Sequence, residues 1–317
     1  MNVLLWHVHG SWTTAFVHGS HTTLLPVVPG RTAEGRGRAR TWEWPAAAVE
    51  VTPEALADHP VDVVVVQRPE EEELARRWLG GRIPGRDVPL VWLEHNTPPT
   101  ATGATRHPAA DRHDLVLVHV TPTNALLWDT GTTPTTSIEH GVIDPGHRFQ
   151  GVEAAAVAVV NEPARRGRAV GADLLPVLAA SAPVDLFGMG VDRLPPAPGL
   201  RPLGDVPQAD LFDEVAARRA YLHPFRWTSL GLALIEAMLL GLPVVALATT
   251  EVPEAVPPGA GVVSNRVDRL ADALRRYVAD PHEAMAAGCI GRAAALDRWS
   301  LDRFTRDWDL LLDEVTA

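Results

Sequence analysis

Apolar residues recur along this chain of 317 residues in short unbroken runs separated by helical or turn-rich stretches. In the first half the runs are Val3–His7, Val61–Gln67, Val88–Glu94 and Leu115–Val120. In the second they are Val157–Val160, Val184–Gly188, Ala220–His223, Val244–Leu247 and Gly261–Val263. Val63-Val64-Val65-Val66 and Leu115-Val116-Leu117-Val118 do not alternate with polar residues, as expected of strands buried on both faces. Strands alternating with helices imply right-handed crossovers and a mostly parallel sheet, so the fold class is α/β. Leu301, Phe304, Trp308, Leu311 and Leu312 share one face of an amphipathic closing helix. Two stretches lack such a pattern. Thr22–Thr52 is rich in Gly, Pro and Arg and reads as a mobile connection. Glu70-Glu71-Glu72-Glu73, ahead of Arg76-Arg77, reads as a solvated first helical turn favoured by the helix dipole.

The turn chemistry after Ser137-Ile138-Glu139-His140-Gly141-Val142-Ile143-Asp144-Pro145-Gly146 places a domain junction at about 145–153. The expected organisation is an amino-terminal domain over 1–148, a second over 153–300, and a final helix over 301–317 returning to the first. Length alone agrees with two domains. No apolar run reaches the roughly 18 residues of a membrane span, and the start lacks the pattern of a secretory leader, so a soluble cytoplasmic protein is expected.

Charge and rare residues narrow the chemistry. All 28 basic residues are Arg, which excludes lysine Schiff bases and the Gly-Lys-Ser/Thr phosphate loop. Cys289 is alone, so disulfide scaffolds and cysteine-based zinc sites are excluded. The net charge is −11; residues 1–150 carry 12 Arg against 17 acidic residues, and the remainder 16 against 22. With no basic stripe, nucleic acid and anionic membranes are poor partners.

The most informative stretch is Trp227–Thr250, in which Glu236 is the only charged residue. Thr228 or Ser229 suits an N-cap, Leu232–Leu240 a helix body, Gly241 its stop, and Val244–Leu247 a buried strand. An acid inside an apolar helix requires a partner, either an Arg such as Arg165 or Arg219, or a polar ligand. Thr228-Ser229-Leu230-Gly231-Leu232 leads into that helix, and a glycine there lets a phosphate approach the free N–H groups and the positive dipole end. Glu236 would lie about two turns further along, within reach of a ribose.

These residues resemble a known signature. His223-Pro224-Phe225, Ser229-Leu230-Gly231-Leu232-Ala233-Leu234-Ile235-Glu236-Ala237-Met238 and Gly241-Leu242-Pro243-Val244-Val245 resemble the donor-site motif of family 4 glycosyltransferases, the glycosyl transferases group 1. Glu251–Val256, Gly259–Val263 and Ile138–Asp144 resemble further elements of that family. The resemblance implies two Rossmann-like domains facing each other across a cleft (GT-B). It also implies sugar transfer from a nucleotide-sugar donor to a hydroxyl-bearing small-molecule or glycan acceptor, with retention and without metal or other cofactor. Two positions depart from the family pattern. Its first Glu falls on Thr228, and of its Arg and Lys for the diphosphate, Arg165 matches the first while Val170 replaces the second. Arg165 and Arg168 are therefore expected to neutralise the diphosphate together.

By the same resemblance Gly10 and Ser11 form the glycine-containing first loop, and His95 is the strand-end histidine beside the donor sugar. The expected catalytic residues are His95, Glu236 and Arg165. The expected donor-binding residues are Gly10, Ser11, Arg165, Arg168, Thr228, Ser229, Leu230, Gly231, Leu232 and Glu236. His18, His21, His107 and His113 read as ordinary surface or loop residues. Rival readings are a nucleotide-binding protein of this fold without transfer activity, a sugar-nucleotide epimerase, and a metal-dependent hydrolase on a (β/α)₈ barrel using His7 and His9.

Overall fold

The computed structural model describes residues 1–99 and 105–317, which divide into two compact units, 1–143 with 301–317, and 144–300. The first begins with β1 (Asn2–Leu5), α1 (Gly10–Val17), β2 (Thr22–Pro26), β3 (Ala48–Val51), α2 (Pro53–Leu56), β4 (Val63–Val66) and α3 (Pro69–Trp78). It continues with β5 (Leu90–Glu94), β6 (Val116–His119), α4 (Pro122–Leu127) and β7 (Thr135–Ser137). The strands form one parallel sheet in the order β3-β2-β1-β4-β5-β6-β7. β4 is wholly buried, as a strand of four consecutive valines covered on both faces must be.

Two expectations fail in this unit. Thr22–Thr52 is no mobile connection, because its two ends are β2 and β3, in register from Thr23 with Ala48 to Pro26 with Val51. Its intervening loop is held by Arg31, whose guanidinium meets the Glu50 carboxylate at 2.7 and 3.0 Å. The strands escape a reading by pattern because each is only four or five residues long and flanked by Pro and Gly. The acidic run does open a helix, with Glu70, Glu71 and Glu72 in the first turn of α3. Yet Glu71 and Glu72 are buried. Glu71 accepts from the Gln67 and Arg68 groups, and Glu72 is shared by Arg76 and Arg112.

The second unit holds β8 (Glu153–Val159), α5 (Pro163–Arg166), α6 (Leu175–Ala179), β9 (Val184–Phe187), β10 (Leu200–Gly204), α7 (Gln208–Ala217) and β11 (Arg218–His223). After these come α8 (Leu232–Leu240), β12 (Val244–Ala246), α9 (Val252–Ala255), β13 (Gly261–Val263), α10 (Val267–Ala279) and α11 (Pro281–Arg298). Its parallel sheet runs β10-β9-β8-β11-β12-β13. Its core gathers Val184, Leu186, Leu222, Val245 and Leu274. The division from the first unit falls at Ile143/Asp144, ahead of the junction expected at 145–153. Asp144 is tied into the second unit by the Arg292 guanidinium at 2.7 and 2.8 Å, and the Phe149 N–H donates to the Leu240 carbonyl.

α12 (Leu301–Thr316) belongs to the first unit. Its apolar face brings Phe304 and Trp308 edge-on to Trp12 of α1, with ring centroids 5.9 and 5.6 Å apart. A methyl at Gly141 would stand 2.3 Å from the Phe304 Cβ, so this helix is seated against glycine backbone. Among the described residues no helix is long and apolar enough to cross a membrane.

Candidate functional site

In both sheets the first strand of the unit lies beside the fourth, β1 beside β4 and β8 beside β11. The winding direction reverses at these places, so the crevice at the strand carboxyl ends is where open α/β sheets take ligands. The predicted site residues sit on the loops leaving β1, β5, β8 and β11 and on the first turns that follow.

In the second unit the β8 and β11 loops are joined. The Arg226 and Trp227 N–H groups both donate to the Ala169 carbonyl, at 2.8 and 3.1 Å. Asp173 binds the Arg226 guanidinium and also Arg168, at 2.7 Å. Arg168, expected on the diphosphate, is thus committed to a carboxylate and points its side chain into solvent. Arg165 is exposed on α5. Its neighbour Arg166 is half-buried with its guanidinium 5.7 Å from the Phe225 ring centroid. Burial and then the nearby Arg165 lower its pKa. Among the described residues no carboxylate pairs with Arg165 or Arg166. No local signal marks Arg166, because its aromatic partner comes from the end of a strand 59 positions on.

Phe225 in turn stacks on His223, 4.3 Å between centroids and 13° between planes. His223 is 1% exposed, neither ring nitrogen has a hydrogen-bond partner among the described residues, and burial pushes its pKa down to about 3. Its ring lies against Gly231, where an added Cβ would be 2.9 Å from Cε1.

Gly231, not Thr228 or Ser229, is the N-cap of α8, and no side chain caps the helix. Thr228-Ser229-Leu230 therefore remain loop, with Ser229 and Leu230 buried. The later start places Glu236 about 7.5 Å along the axis from Gly231, nearer one turn and a half than two. Gly241 ends the helix as expected, in the left-handed region at φ 94°, with the Leu242 N–H on the Ala237 carbonyl. Glu236 is buried, and after burial itself its charge is the cause that raises the Tyr221 pKa. Arg219, weighed as its partner, spends its guanidinium on the Gly151 and Val278 carbonyls.

In the first unit Gly10 and Ser11 are the first two residues of α1 rather than a turn before it, and His9 is the N-cap. His9 lies against His95, centroids 4.1 Å apart. His7 turns away, onto Trp44 and the Gly37 carbonyl. His95 is buried, and burial, followed by the fields of His9 and His140, holds its pKa well below the usual imidazole value. His107 is no surface residue. It is buried, accepts from the Ala109 N–H through Nδ1, and so donates from Nε2 to Glu94 at 3.2 Å. Among the described residues no three His, Cys, Asp or Glu side chains are grouped as a metal site. The divergence of His7 from His9 and the open sheets leave the barrel hydrolase without its frame.

Residues 186–280 match the family model of the glycosyl transferases group 1. Over nearly the whole chain the structure is similar to a sucrose-phosphate synthase from Thermosynechococcus elongatus. That comparison gives a TM-score of 0.73 at 15% identity and covers 99% of this chain and 98% of that one. It is similar too to HepE from Anabaena in complex with UDP-glucose, with a TM-score of 0.69 at 15% identity, covering 99% and 100% of the two chains.

The fold is GT-B, and residues 186–280 of its second unit are those similar to the group 1 family.

A curated relative from Corynebacterium glutamicum is a GDP-mannose-dependent monoacylated α-(1-6)-phosphatidylinositol monomannoside mannosyltransferase. It is 29% identical over 123 residues, 36% of this GT-B chain and 30% of the relative's own length. The match therefore spans less than a third of that enzyme.

Proposed function

We propose that this GT-B protein is a glycosyltransferase that moves a sugar from a nucleotide-sugar donor to a hydroxyl-bearing acceptor. One observation carries the reading. At the β8–β11 switch point Arg165 and Arg166, with no carboxylate of their own among the described residues, end the short helix α5, and Ala169 just after it is joined to the loop that enters α8, whose N-terminus has no side-chain cap among the described residues. A diphosphate suits both features, because guanidinium forks bind phosphate oxygens and uncapped N–H groups complete the anion's shell. Arg165 and Arg166, rather than Arg168, would stabilise the leaving diphosphate, so transfer would not depend on a metal. Glu236 would accept from the ribose hydroxyls. By the resemblance His95 would meet the donor sugar, its neutral ring accepting a hydrogen bond from a sugar hydroxyl. Retention of configuration follows from the family resemblance and is part of the reading.

Titration with UDP and GDP tests it, since HepE is in complex with UDP-glucose and the Corynebacterium relative is GDP-mannose-dependent. Saturable binding of one, followed by release of that nucleotide from UDP-glucose or GDP-mannose in the presence of EDTA, is expected. Absence of saturable binding by either nucleotide would overturn the proposal. The anomeric configuration of the transferred sugar, read by NMR, tests retention separately.

A further inference from the structure

At the β1–β4 switch point of the first unit the Gln67 side chain bridges two loops. Gln67 is the first residue after β4, and its Nε2 reaches the Trp6 carbonyl just beyond β1, at 2.7 Å. A carbonyl oxygen can only accept, so the amide NH₂ must face Trp6 and Oε1 must face the other way. What Oε1 meets, at 2.9 Å, is His95 Nε2 on the loop after β5. An amide oxygen is likewise only an acceptor, so the imidazole must carry its proton on Nε2. Burial disfavours the doubly protonated ring, and Nδ1 is left with the lone pair. Gln67 has little freedom to respond otherwise. Its own N–H donates to Glu71 Oε2 at 2.7 Å, while Glu71 Oε1 takes the Arg68 guanidinium at 2.7 Å. The sequence marks none of this, since the run Glu70–Glu73 reads there as solvated.

We infer that Gln67 is a positioning residue that locks His95 in the Nε2–H tautomer and thereby makes its Nδ1 a hydrogen-bond acceptor. In the sugar-transfer reading, on which its functional meaning rests, His95 can then only accept a hydrogen bond from any substrate hydroxyl that comes to Nδ1. It does not donate one through Nδ1. A donor substrate with a hydroxyl removed at the contacted carbon would lose that bond, and one with a ring acceptor there would be repelled.

The test is a long-range ¹H–¹⁵N correlation spectrum of the full chain labelled on histidine, with His95 assigned by its loss in His95→Asn. The wild-type protein should show Nε2 protonated and Nδ1 bare. Gln67→Met, similar in length but without the acceptor, should convert His95 to a mixture of tautomers. Gln67→Glu, whose carboxylate accepts the same proton, should keep Nε2–H. An Nδ1–H tautomer in the wild-type protein, or an unchanged tautomer in Gln67→Met, overturns the inference. Should Gln67→Met not fold, the wild-type and Gln67→Glu spectra decide. On whichever of UDP-glucose or GDP-mannose is turned over, Gln67→Met should lower kcat by about tenfold to a hundredfold and leave KM for the donor nearly unchanged. Failure of wild-type protein to bind UDP or GDP would count against the transferase reading and leave the tautomer result standing.

Discussion

The packing of His223 under the entrance of α8 can be tested with one methyl group. At Gly231 the backbone has φ −72° and ψ 123°, which alanine adopts without strain. By unfolded-state entropy alone Gly231→Ala would therefore stabilise by about 0.4–1 kcal/mol. Alanine is the poorer N-cap, and that offsets much of this gain. The steric term then decides the sign. The new Cβ would stand 2.9 Å from His223 Cε1, and the ring cannot withdraw, being buried and stacked on Phe225 at 4.3 Å. Overpacking a closed site costs about 1–3 kcal/mol, so a net loss of about that size is expected. The assay is urea denaturation of four proteins: wild type, Gly231→Ala, His223→Ala and the double variant. His223→Ala opens the space, so adding Gly231→Ala to it should cost almost nothing, a coupling of about 1–3 kcal/mol. Equal costs of Gly231→Ala in both backgrounds would refute the reasoning. A second measurement separates packing from ligand. If a phosphate docks at the helix mouth, adding Gly231→Ala to His223→Ala should leave stability almost unchanged yet lower the affinity for UDP or GDP.

The loop cations should divide. Arg166→Ala is expected to weaken nucleoside diphosphate binding by about tenfold or more, the worth of a charge-assisted hydrogen bond, and Arg168→Ala by less than about threefold, both read by calorimetric titration. Equal losses would return Arg168 to the site. Acid should destabilise the fold. His140 and His223 have pKa values pushed down to about 3 by burial, against 6.5 when unfolded. Below pH 6.5 the unfolded chain therefore binds the protons that the folded one refuses, and stability falls as pH drops toward 3. At pH 5 each histidine costs about 2 kcal/mol relative to pH 8, and urea midpoints that do not shift between those pH values would contradict the burial. Gly141→Ala should loosen α12, because its Cβ would overlap Phe304, and a melting temperature lower by several degrees is expected.

What the sequence made legible was set by repetition. β4, β5, β6 and β11 announce themselves because apolar residues follow one another, and α8 because Gly241 and Pro243 close it. β2 and β3 were hidden, each too short for a pattern and embedded among Pro, Gly and Arg. The helix start was misplaced for a different reason. Thr228 and Ser229 have good capping side chains, but Gly231, fitted against His223, is where the helix starts, so the chain stays non-helical through Leu230. A local preference worth about 1 kcal/mol yields to such packing.

Several deciding contacts were hidden because they join loops of different strands rather than neighbours along the chain. Glu71 reads as one of four solvated acids, yet it is the residue that holds Gln67, which reaches back 61 positions to Trp6 and forward 28 to His95. Arg166 and Arg168 are indistinguishable by sequence, two residues apart on one loop. Only Asp173, shared with Arg226, and Phe225, brought by β11, separate the neutralised cation from the unneutralised one. Both rearrangements occur at a switch point, where neighbouring strands are far apart in the chain. In a doubly wound sheet the strand ends at a switch point therefore gather polar contacts between residues distant in the chain. Motifs therefore point to the loops at the strand ends, while the state of each adjacent charge and the partners of Gln67 depend on contacts between residues far apart in the chain.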